Sequence, residues 1–101
     1  MLFLQISRHS IESCPLHNEI VKKVYADAMI RMEPLLKKHG IKMIGGWGAM
    51  IEHTMIAVYE APTMDALLKF ALEPEMSRLN EYCMTEVIPV VTIQEAMKSM
   101  K

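Results

Sequence analysis

Apolar residues are spaced in two different ways along this 101-residue chain, and the order in which the two spacings alternate restricts its fold. Alternation at every second residue predicts a β-strand, and repetition every three or four residues predicts an α-helix. The predicted order is strand, helix, strand, strand, helix, strand and a short final helix, over residues 2–8, 18–39, 41–50, 54–60, 62–82, 85–91 and 92–100. A chain of this length has room for one domain, so residues 1–101 are expected to share one core.

Capping and helix-breaking residues mark the ends of the predicted helices. Asn18 is a candidate N-cap of the first helix, Pro15 is an alternative first-turn residue, and Gly40 marks the end of that helix. Pro74 interrupts the second helical stretch, because proline removes a backbone donor. The sequence Thr-Ile-Gln-Glu from Thr92 has the form of a capping box and predicts the start of the short terminal helix.

The order of the elements also predicts their arrangement in space. Crossover rules favour a ferredoxin-like α+β domain, βαββαβ, with antiparallel sheet order 4-1-3-2 and both main helices on one face. Phe3 and Leu4 lie on opposite faces of strand 1, and the other three strands also have apolar residues on both faces. A sheet covered on one side needs only one apolar face. We therefore expect the second face to bind another copy of the chain, as a homodimer.

The charge balance limits the partners of the chain. Eleven Lys and Arg against twelve Asp and Glu give a net charge of -1, without a run of like charges, so we expect no nucleic-acid partner. The apolar opening Met1–Ile6 is too short for a membrane span or a signal peptide. We therefore expect a cytoplasmic protein without a membrane partner, in which the two cysteines do not form a disulfide framework.

Three segments of the sequence resemble a known superfamily. They are the opening MLFLQISRHS, the IKMIGGWG strand after the first helix, and the VIPVVTIQEAM ending. Through them the chain resembles the dimeric α+β barrel proteins over nearly its whole length, and in particular small prokaryotic domains of unknown function. The superfamily includes haem-degrading and quinone-forming monooxygenases, muconolactone isomerases and stress-induced proteins. The resemblance implies a fold, a homodimer and a cavity at one end of the sheet, but no single activity.

One branch of that superfamily has a site that this sequence does not reproduce. The haem-degrading branch uses an Asn-His-Trp arrangement, whereas Trp47 here lies on a strand without a paired helical Asn and His. Trp47 is expected to pack on the sheet or to line a pocket. The glycines around it have no phosphate-loop spacing and favour a bulge or a close backbone approach.

Most of the histidines and cysteines are predicted to meet at one end of the sheet. In the proposed topology His9 ends strand 1, Cys14 and His17 lie at the start of helix 1, and His53 begins strand 3 at that same end. Cys83, before strand 4, is a weaker member of this group. The remaining histidine, at position 39, lies at the opposite end of helix 1 and is excluded.

Imidazole nitrogen and thiolate sulfur are ligands of Zn, Fe and Cu, so the group predicts a transition-metal site formed by His9, Cys14, His17 and His53. Haem stays open as an alternative cofactor. Strands 1 and 3 are neighbours in the predicted order, which brings His9 toward His53. The i, i+3 spacing of Cys14 and His17 places their side chains on one side of a helical turn.

Three other interpretations use the same residues. In the first, His9, His17 and His53 are solvated and both cysteines are small buried residues without a ligand. In the second, Cys14 is a reactive thiol whose thiolate is stabilised by a helix N-terminus and by His17. In the third, the chain is a dimeric interaction module without catalysis. We favour a small-ligand or metal-dependent domain over the third, and we expect the eleven methionines to fill the core.

Overall fold

The fold is described for residues 1–100 by a computed structural model. Its elements are β1 Leu2–Arg8, α1 Glu19–Lys38, β2 Lys42–Ala49, β3 Thr54–Glu60, α2 Met64–Ala71, α3 Pro74–Asn80, β4 Met84–Val90 and α4 Ile93–Ser99. Their order and type agree with the prediction, and their ends lie within two residues of it. Over residues 1–100 no helix combines the length and the apolar character needed to cross a membrane.

Helix α1 begins at the later of the two predicted starts. The Asn18 side-chain oxygen accepts hydrogen bonds from the backbone N–H groups of Ile20 and Val21, at 3.0 and 3.1 Å. The helix therefore does not begin at Pro15, and residues 11–17 form turns instead. At the other end, Gly40 has a φ of 68°, a left-handed conformation that glycine adopts without steric cost.

The four strands form one antiparallel sheet in the order β2-β3-β1-β4, which is the predicted order 4-1-3-2 counted from the other edge. Leu4 of β1 lies opposite Val58 of β3 on one side and Ile88 of β4 on the other. The pairing of β2 with β3 shifts by one residue between Met43 and Gly45, which is the irregularity expected near the glycines.

The helices cover one face of the sheet, called here the helix face, and the core lies under them. Phe3 is 0% exposed and belongs to one cluster with buried side chains from β3 and from α1, α2 and α3, among them Tyr59, Leu35, Phe70 and Met76. Burial of these apolar side chains is the main favourable contribution to folding.

The opposite face of the sheet is largely apolar, apart from the Arg8–Glu86 ion pair near the end of β1, and no helix of residues 1–100 covers it. The side chains that define this open face are Leu4, Ile6, Trp47, Ile56, Val58 and Ile88. Trp47 is 60% exposed and Ile88 is 41% exposed. The monomer is correspondingly flat, 52 × 31 × 17 Å, and its radius of gyration of 14.7 Å exceeds the roughly 13 Å of a compact domain of this length. The expectation that both faces of the sheet are apolar is confirmed.

Candidate functional site

A cavity of about 420 Å³ lies between the helix face of the sheet and α1. Small residues on the sheet make room for it, because Gly46 of β2 lies opposite Ala57 of β3, and Gly48 is the neighbouring inward position. Five methionines border the cavity: Met29, Met32, Met43, Met50 and Met55. The expectation that the methionines fill the core is wrong for Met29, Met43, Met50 and Met55, each at least 36% exposed, whereas Met32 packs against the core.

A few polar groups border the same cavity. Gln5 and Ser7 project from β1, Tyr25 from α1, and Asn80 lies at the end of α3. The Ser7 hydroxyl accepts a hydrogen bond from the Gln5 amide at 3.4 Å and shares another, of 3.1 Å, with the Thr85 hydroxyl. The cavity thus combines an apolar wall with separate polar groups, which is typical of small-molecule sites.

Tyr25 remains protonated at neutral pH. Burial, and to a smaller extent the neighbouring thiols of Cys83 and Cys14, raises the pKa of its hydroxyl to about 12. A protonated phenol can donate a hydrogen bond to an oxygen atom of a ligand. The Tyr25 ring also lies edge-on to the His9 ring, with 6.4 Å between the ring centroids.

A smaller pocket of about 100 Å³ adjoins the cavity, and Tyr25, Met50 and Met55 border both spaces. His9, Cys14 and His53 border the smaller pocket, and one ligand atom from each lies within 4.8 Å of the other two. We call these three residues the His/Cys cluster. Within it, His9 Nε2 and His53 Nδ1 lie 3.3 Å apart.

The backbone holds the two histidines of the cluster against each other. The His9 N–H donates to the His53 carbonyl at 3.1 Å, which extends the β1–β3 pairing by one residue. His53 has a φ of 50° and closes the turn between β2 and β3, where its N–H donates to the Met50 carbonyl. A non-glycine residue with positive φ is uncommon, so the turn fixes an unusual backbone conformation at this position.

Consecutive turns bring Cys14 into the cluster. Its N–H donates to the Ile11 carbonyl at 3.2 Å, and its own carbonyl accepts from Asn18 and His17 at 2.9 and 3.1 Å. The Cys14 side chain is only 2% exposed. The thiol therefore lies inside the fold, and α1 begins five residues after it.

The local electrostatics favour a neutral His9. Burial, and then the charge of a protonated His53, lower the pKa of the His9 imidazole below its ordinary value of 6.5. Neutral imidazole has a free nitrogen lone pair, which is the form that coordinates metals.

The structure brings together three of the four predicted metal ligands. His17 is not in the cluster: residues 14–18 form a single turn, closed by hydrogen bonds from the His17 and Asn18 N–H groups to the Cys14 carbonyl, which lies outside α1 and leaves the His17 side chain exposed. Cys83 borders the larger cavity instead, where its thiol lies 3.6 Å from the Leu79 carbonyl and burial raises its pKa. His39 lies at the far end of α1, as predicted, and forms a hydrogen bond of 2.7 Å with Glu73.

Sequence reasoning missed the polar border of the larger cavity. Tyr25 lies in the apolar stripe of α1, so its spacing indicated only that it faces the sheet. Gln5 and Ser7 could have been found from their position in β1. They lie on the same face as Phe3 and alternate along the strand with apolar residues of the other face.

Comparison with known proteins shows the family. The sequence profile described as "Domain of unknown function (DUF3303)" matches residues 1–101. The chain belongs to the DUF3303 family. No curated protein matches the sequence of this DUF3303 domain at a significant level.

Solved structures with the same fold are distant in sequence from the DUF3303 domain. One is 5-chloro-2-hydroxyhydroquinone dehydrochlorinase from Burkholderia phenoliruptrix, in complex with 2,5-dihydroxybenzoquinone, with a TM-score of 0.68, 19% identity and coverage of 94% of this chain and 98% of that chain. Another is an antibiotic biosynthesis monooxygenase, with a TM-score of 0.56, 13% identity and coverage of 91% and 100%. A third is an uncharacterised NIPSNAP domain protein from Burkholderia xenovorans, with a TM-score of 0.54, 9% identity and coverage of 92% and 97%.

These similarities confirm the predicted fold, that of the dimeric α+β barrel proteins, as well as the expected resemblance to small domains of unknown function. At such low identity they carry the fold alone, since proteins of one fold perform unrelated functions.

Proposed function

We propose that this DUF3303 domain binds a small, flat, largely apolar molecule with a few oxygen atoms, in the cavity between the sheet and α1, and that it does so as a homodimer. The observation that carries the proposal is the cavity itself. Its volume of about 420 Å³ lies within the range of roughly 300–1,000 Å³ found for small-molecule sites.

The chemistry of the cavity wall supports this class of ligand. Methionine side chains are flexible and polarisable, so they adapt to aromatic rings of different shape. Tyr25 can donate a hydrogen bond at one end of the cavity, and the Gln5 amide and Asn80 offer further donors and acceptors. Among residues 1–100, no Lys or Arg borders the cavity, which favours a ligand of low charge.

One structural neighbour suggests a first probe. The dehydrochlorinase of similar fold is in complex with 2,5-dihydroxybenzoquinone, a flat ring with four oxygen atoms. A molecule of this kind combines an apolar ring with oxygen atoms that accept hydrogen bonds from groups such as the Tyr25 hydroxyl. Because 2,5-dihydroxybenzoquinone is an acid that is ionised at neutral pH, we choose the uncharged hydroquinone, which keeps the flat ring and two of the oxygen atoms, as the probe for the DUF3303 cavity.

Methionine methyl groups provide the assay. In protein labelled with ¹³C at the methionine methyls, we expect saturable shifts of the resonances of the five cavity methionines when the probe is added. Met84 and Met100, each 81% exposed and outside the cavity, are expected to keep their resonance positions. Shifts of all methionine methyls, or of none, would contradict binding in the cavity.

A substitution that fills the cavity tests its location. A Cβ at Gly46 would have no atom closer than Met43 Sδ at 3.7 Å, so Gly46→Leu places its side chain in the open space without displacing the backbone. We expect Gly46→Leu to abolish the methionine shifts. Ala26→Leu adds the same side chain to the exposed side of α1 and is the matched control, which is expected to bind the probe normally.

The open face of the sheet supports the proposed homodimer. This face is apolar over the middle of all four strands, with the Arg8–Glu86 ion pair and the charged residues Lys42 and Glu60 toward its ends, and an apolar surface of this extent is rare on a monomer in water. A second copy related by two-fold symmetry presents an identical apolar face, so each sheet covers the other. Helix α4 has no buried residue and exposes Ile93 and Met97, which a second copy can also cover.

The alternative functions predict different results. A reactive Cys14 needs solvent access and a helix N-terminus, whereas Cys14 is buried and α1 begins at Glu19. These two observations disfavour the reactive-thiol interpretation. A pure interaction module would form the dimer but show no methionine shifts with any small probe, which separates it from the ligand-binding function.

A further inference from the structure

The His/Cys cluster combines three metal-ligating side chains from three separate parts of the chain. His9 follows β1, Cys14 lies in the turns before α1, and His53 closes the turn between β2 and β3. We propose that His9, Cys14 and His53 form a binding site for a borderline or soft transition-metal ion, Zn²⁺ or Cu⁺, beside the ligand cavity. This proposal does not depend on the proposed small-molecule function, and either can fail without the other.

The separations in the cluster suit a tetrahedral metal ion. Bonds of about 2.0–2.1 Å to nitrogen and about 2.3 Å to sulfur place tetrahedral ligand atoms roughly 3.3–3.6 Å apart. His9 Nε2 and His53 Nδ1 are already 3.3 Å apart. All three ligand atoms lie within 4.8 Å of one another, so an inward movement of about 1 Å completes the geometry.

The backbone of the two histidines is fixed before any metal binds. The 3.1 Å hydrogen bond from the His9 N–H to the His53 carbonyl joins the residues directly, and the His53 turn is closed by its own hydrogen bond to Met50. Ligands held on paired strands lose little freedom on binding, which favours affinity. Cys14 is buried in the wall of the same pocket and adds the third ligand.

The chemistry of the ligand atoms selects the metal. Two neutral imidazoles and one thiolate suit Zn²⁺ or Cu⁺, whereas Ca²⁺ and Mg²⁺ require oxygen ligands that the cluster lacks. On binding, the Cys14 thiol releases one proton to the solvent and its sulfur bonds to the ion. Met50 and Met55 border the same pocket and provide thioether sulfurs, which are ligands that Cu⁺ accepts and Zn²⁺ rarely uses.

Three protein ligands leave a fourth position free. Zinc sites of this kind hold water or substrate at that position, whereas structural zinc sites have four protein ligands. The smaller pocket has room for such a molecule, and its border residues Tyr25, Met50 and Met55 also border the larger cavity. A bound ion would therefore lie next to the space that the proposed small molecule occupies.

The main experiment measures metal affinity in reduced protein that has been stripped of metal. Zn²⁺ is titrated against a chromophoric chelator, and we expect one ion per chain. His9→Gln, Cys14→Ser and His53→Asn are each expected to weaken binding at least tenfold. Asparagine is chosen at position 53 because it tolerates positive φ.

Two matched variants serve as controls. His17→Ala removes a histidine three residues from Cys14 but outside the cluster, and Cys83→Ser removes the other thiol. Both are expected to bind Zn²⁺ with unchanged affinity. Equal weakening in the control and cluster variants, or fewer than about half an ion per chain in the unsubstituted protein, would overturn the proposal.

A second measurement does not depend on affinity. Co²⁺ in the Zn²⁺ position is expected to show a thiolate-to-cobalt charge-transfer band that Cys14→Ser loses and Cys83→Ser keeps, with circular dichroism confirming that both variants fold. A parallel titration with Cu⁺ and a Cu⁺-specific chelator identifies which ion binds more tightly, and Met55→Leu should weaken only Cu⁺ if a thioether takes part. Failure of Zn²⁺ and Cu⁺ alike to bind would show that the proposed site is wrong.

Discussion

Replacement of Trp47 by alanine tests the proposed homodimer through a single side chain. Trp47 projects from β2 on the open face, where it lies opposite Ile56, and its ring covers Gly45. It is the only tryptophan of the chain and one of the most exposed large side chains of the sheet. If a second copy covers the open face, the truncation removes apolar contact area from both protomers at once.

The expected loss can be worked from the exposed fraction. An aromatic side chain has about 150–250 Å² to bury, so a Trp47 that is 60% exposed presents about 90–150 Å² to a partner. At about 25 cal/mol per Å² this area contributes roughly 2–4 kcal/mol for each protomer. If only the smaller value, about 2 kcal/mol, is lost and only one protomer is counted, the dimer Kd rises about 30-fold. Loss of the contact in both protomers raises the Kd further.

Sedimentation equilibrium over a range of protein concentrations measures this change. In the unsubstituted protein, dilution should also shift Trp47 emission to longer wavelengths, because dissociation exposes the indole to water. Ile30→Ala is the matched control, since Ile30 is 74% exposed on α1 and away from the sheet. A protein that is monomeric throughout the micromolar range, or Trp47→Ala and Ile30→Ala variants with the same Kd, would refute the reasoning.

Three further predictions concern stability and the sheet surface. Phe3→Ala is expected to lower the free energy of unfolding by about 3–5 kcal/mol, measured by urea denaturation, because Phe3 is fully buried in the core. Gly45→Ala places a Cβ 2.6 Å from the Trp47 ring, so the ring must move; we expect altered Trp47 emission and a weaker dimer, and unchanged values for both would contradict this. Hydrogen bonds from Lys38 and His39 lower the pKa of Glu73 below its ordinary 4.5. The ionised carboxylate therefore stabilises the fold fully above pH 4.5. This stabilisation is lost as the pH falls through the lower pKa of the folded state. Glu73→Gln should therefore lose less thermal stability than the unsubstituted protein between pH 6 and roughly pH 3, and identical losses would contradict the assignment.

The element order and the sheet order were predictable because each depends on a regular property of the chain. Strand and helix spacings differ clearly, and few connections of these six elements satisfy the crossover rule. The start of α1 was harder to predict, since Pro15 and Asn18 are both residue types found at helix starts. The hydrogen bonds in the structure decide between the two residues, because the Asn18 side chain accepts two backbone hydrogen bonds at the start of α1.

The same uncertainty about the helix start explains which site predictions were wrong. The i, i+3 spacing predicts that Cys14 and His17 lie on one side of a helical turn, but the single turn at residues 14–18 is separate from α1, and in it Cys14 is buried whereas His17 is exposed. The approach of His9 to His53 was predictable, because it depends on the neighbouring strands β1 and β3. The position of Tyr25 at the border of the cavity was not predictable. Hydrophobic spacing indicates which helix face a residue occupies, but not whether the space beside that face is filled by other side chains.

The inward positions of β1 explain why the core and the site occupy different ends of one sheet. Along this strand every second residue faces the helices, and these are Phe3, Gln5 and Ser7, followed by His9 beyond the end of the strand. Phe3 is in the core, whereas Gln5 and Ser7 border the cavity. Polar groups under a helix must be hydrogen-bonded, and Ser7 meets this need through Thr85 and Gln5.

This arrangement connects the site to the stability of the fold. Gln5 and Ser7, which border the cavity, belong to β1, one of the two central strands, and His9 directly follows it. A molecule that binds there therefore contacts an element on which the sheet depends. A ligand or metal ion that binds only the folded chain stabilises it by about 2.7 kcal/mol at a concentration 100 times its Kd. Because the two spaces are separate, the probe and Zn²⁺ should each raise the Tm alone. Gly46→Leu should abolish only the effect of the probe, and Cys14→Ser only that of Zn²⁺, whereas a single shared site would lose both effects together.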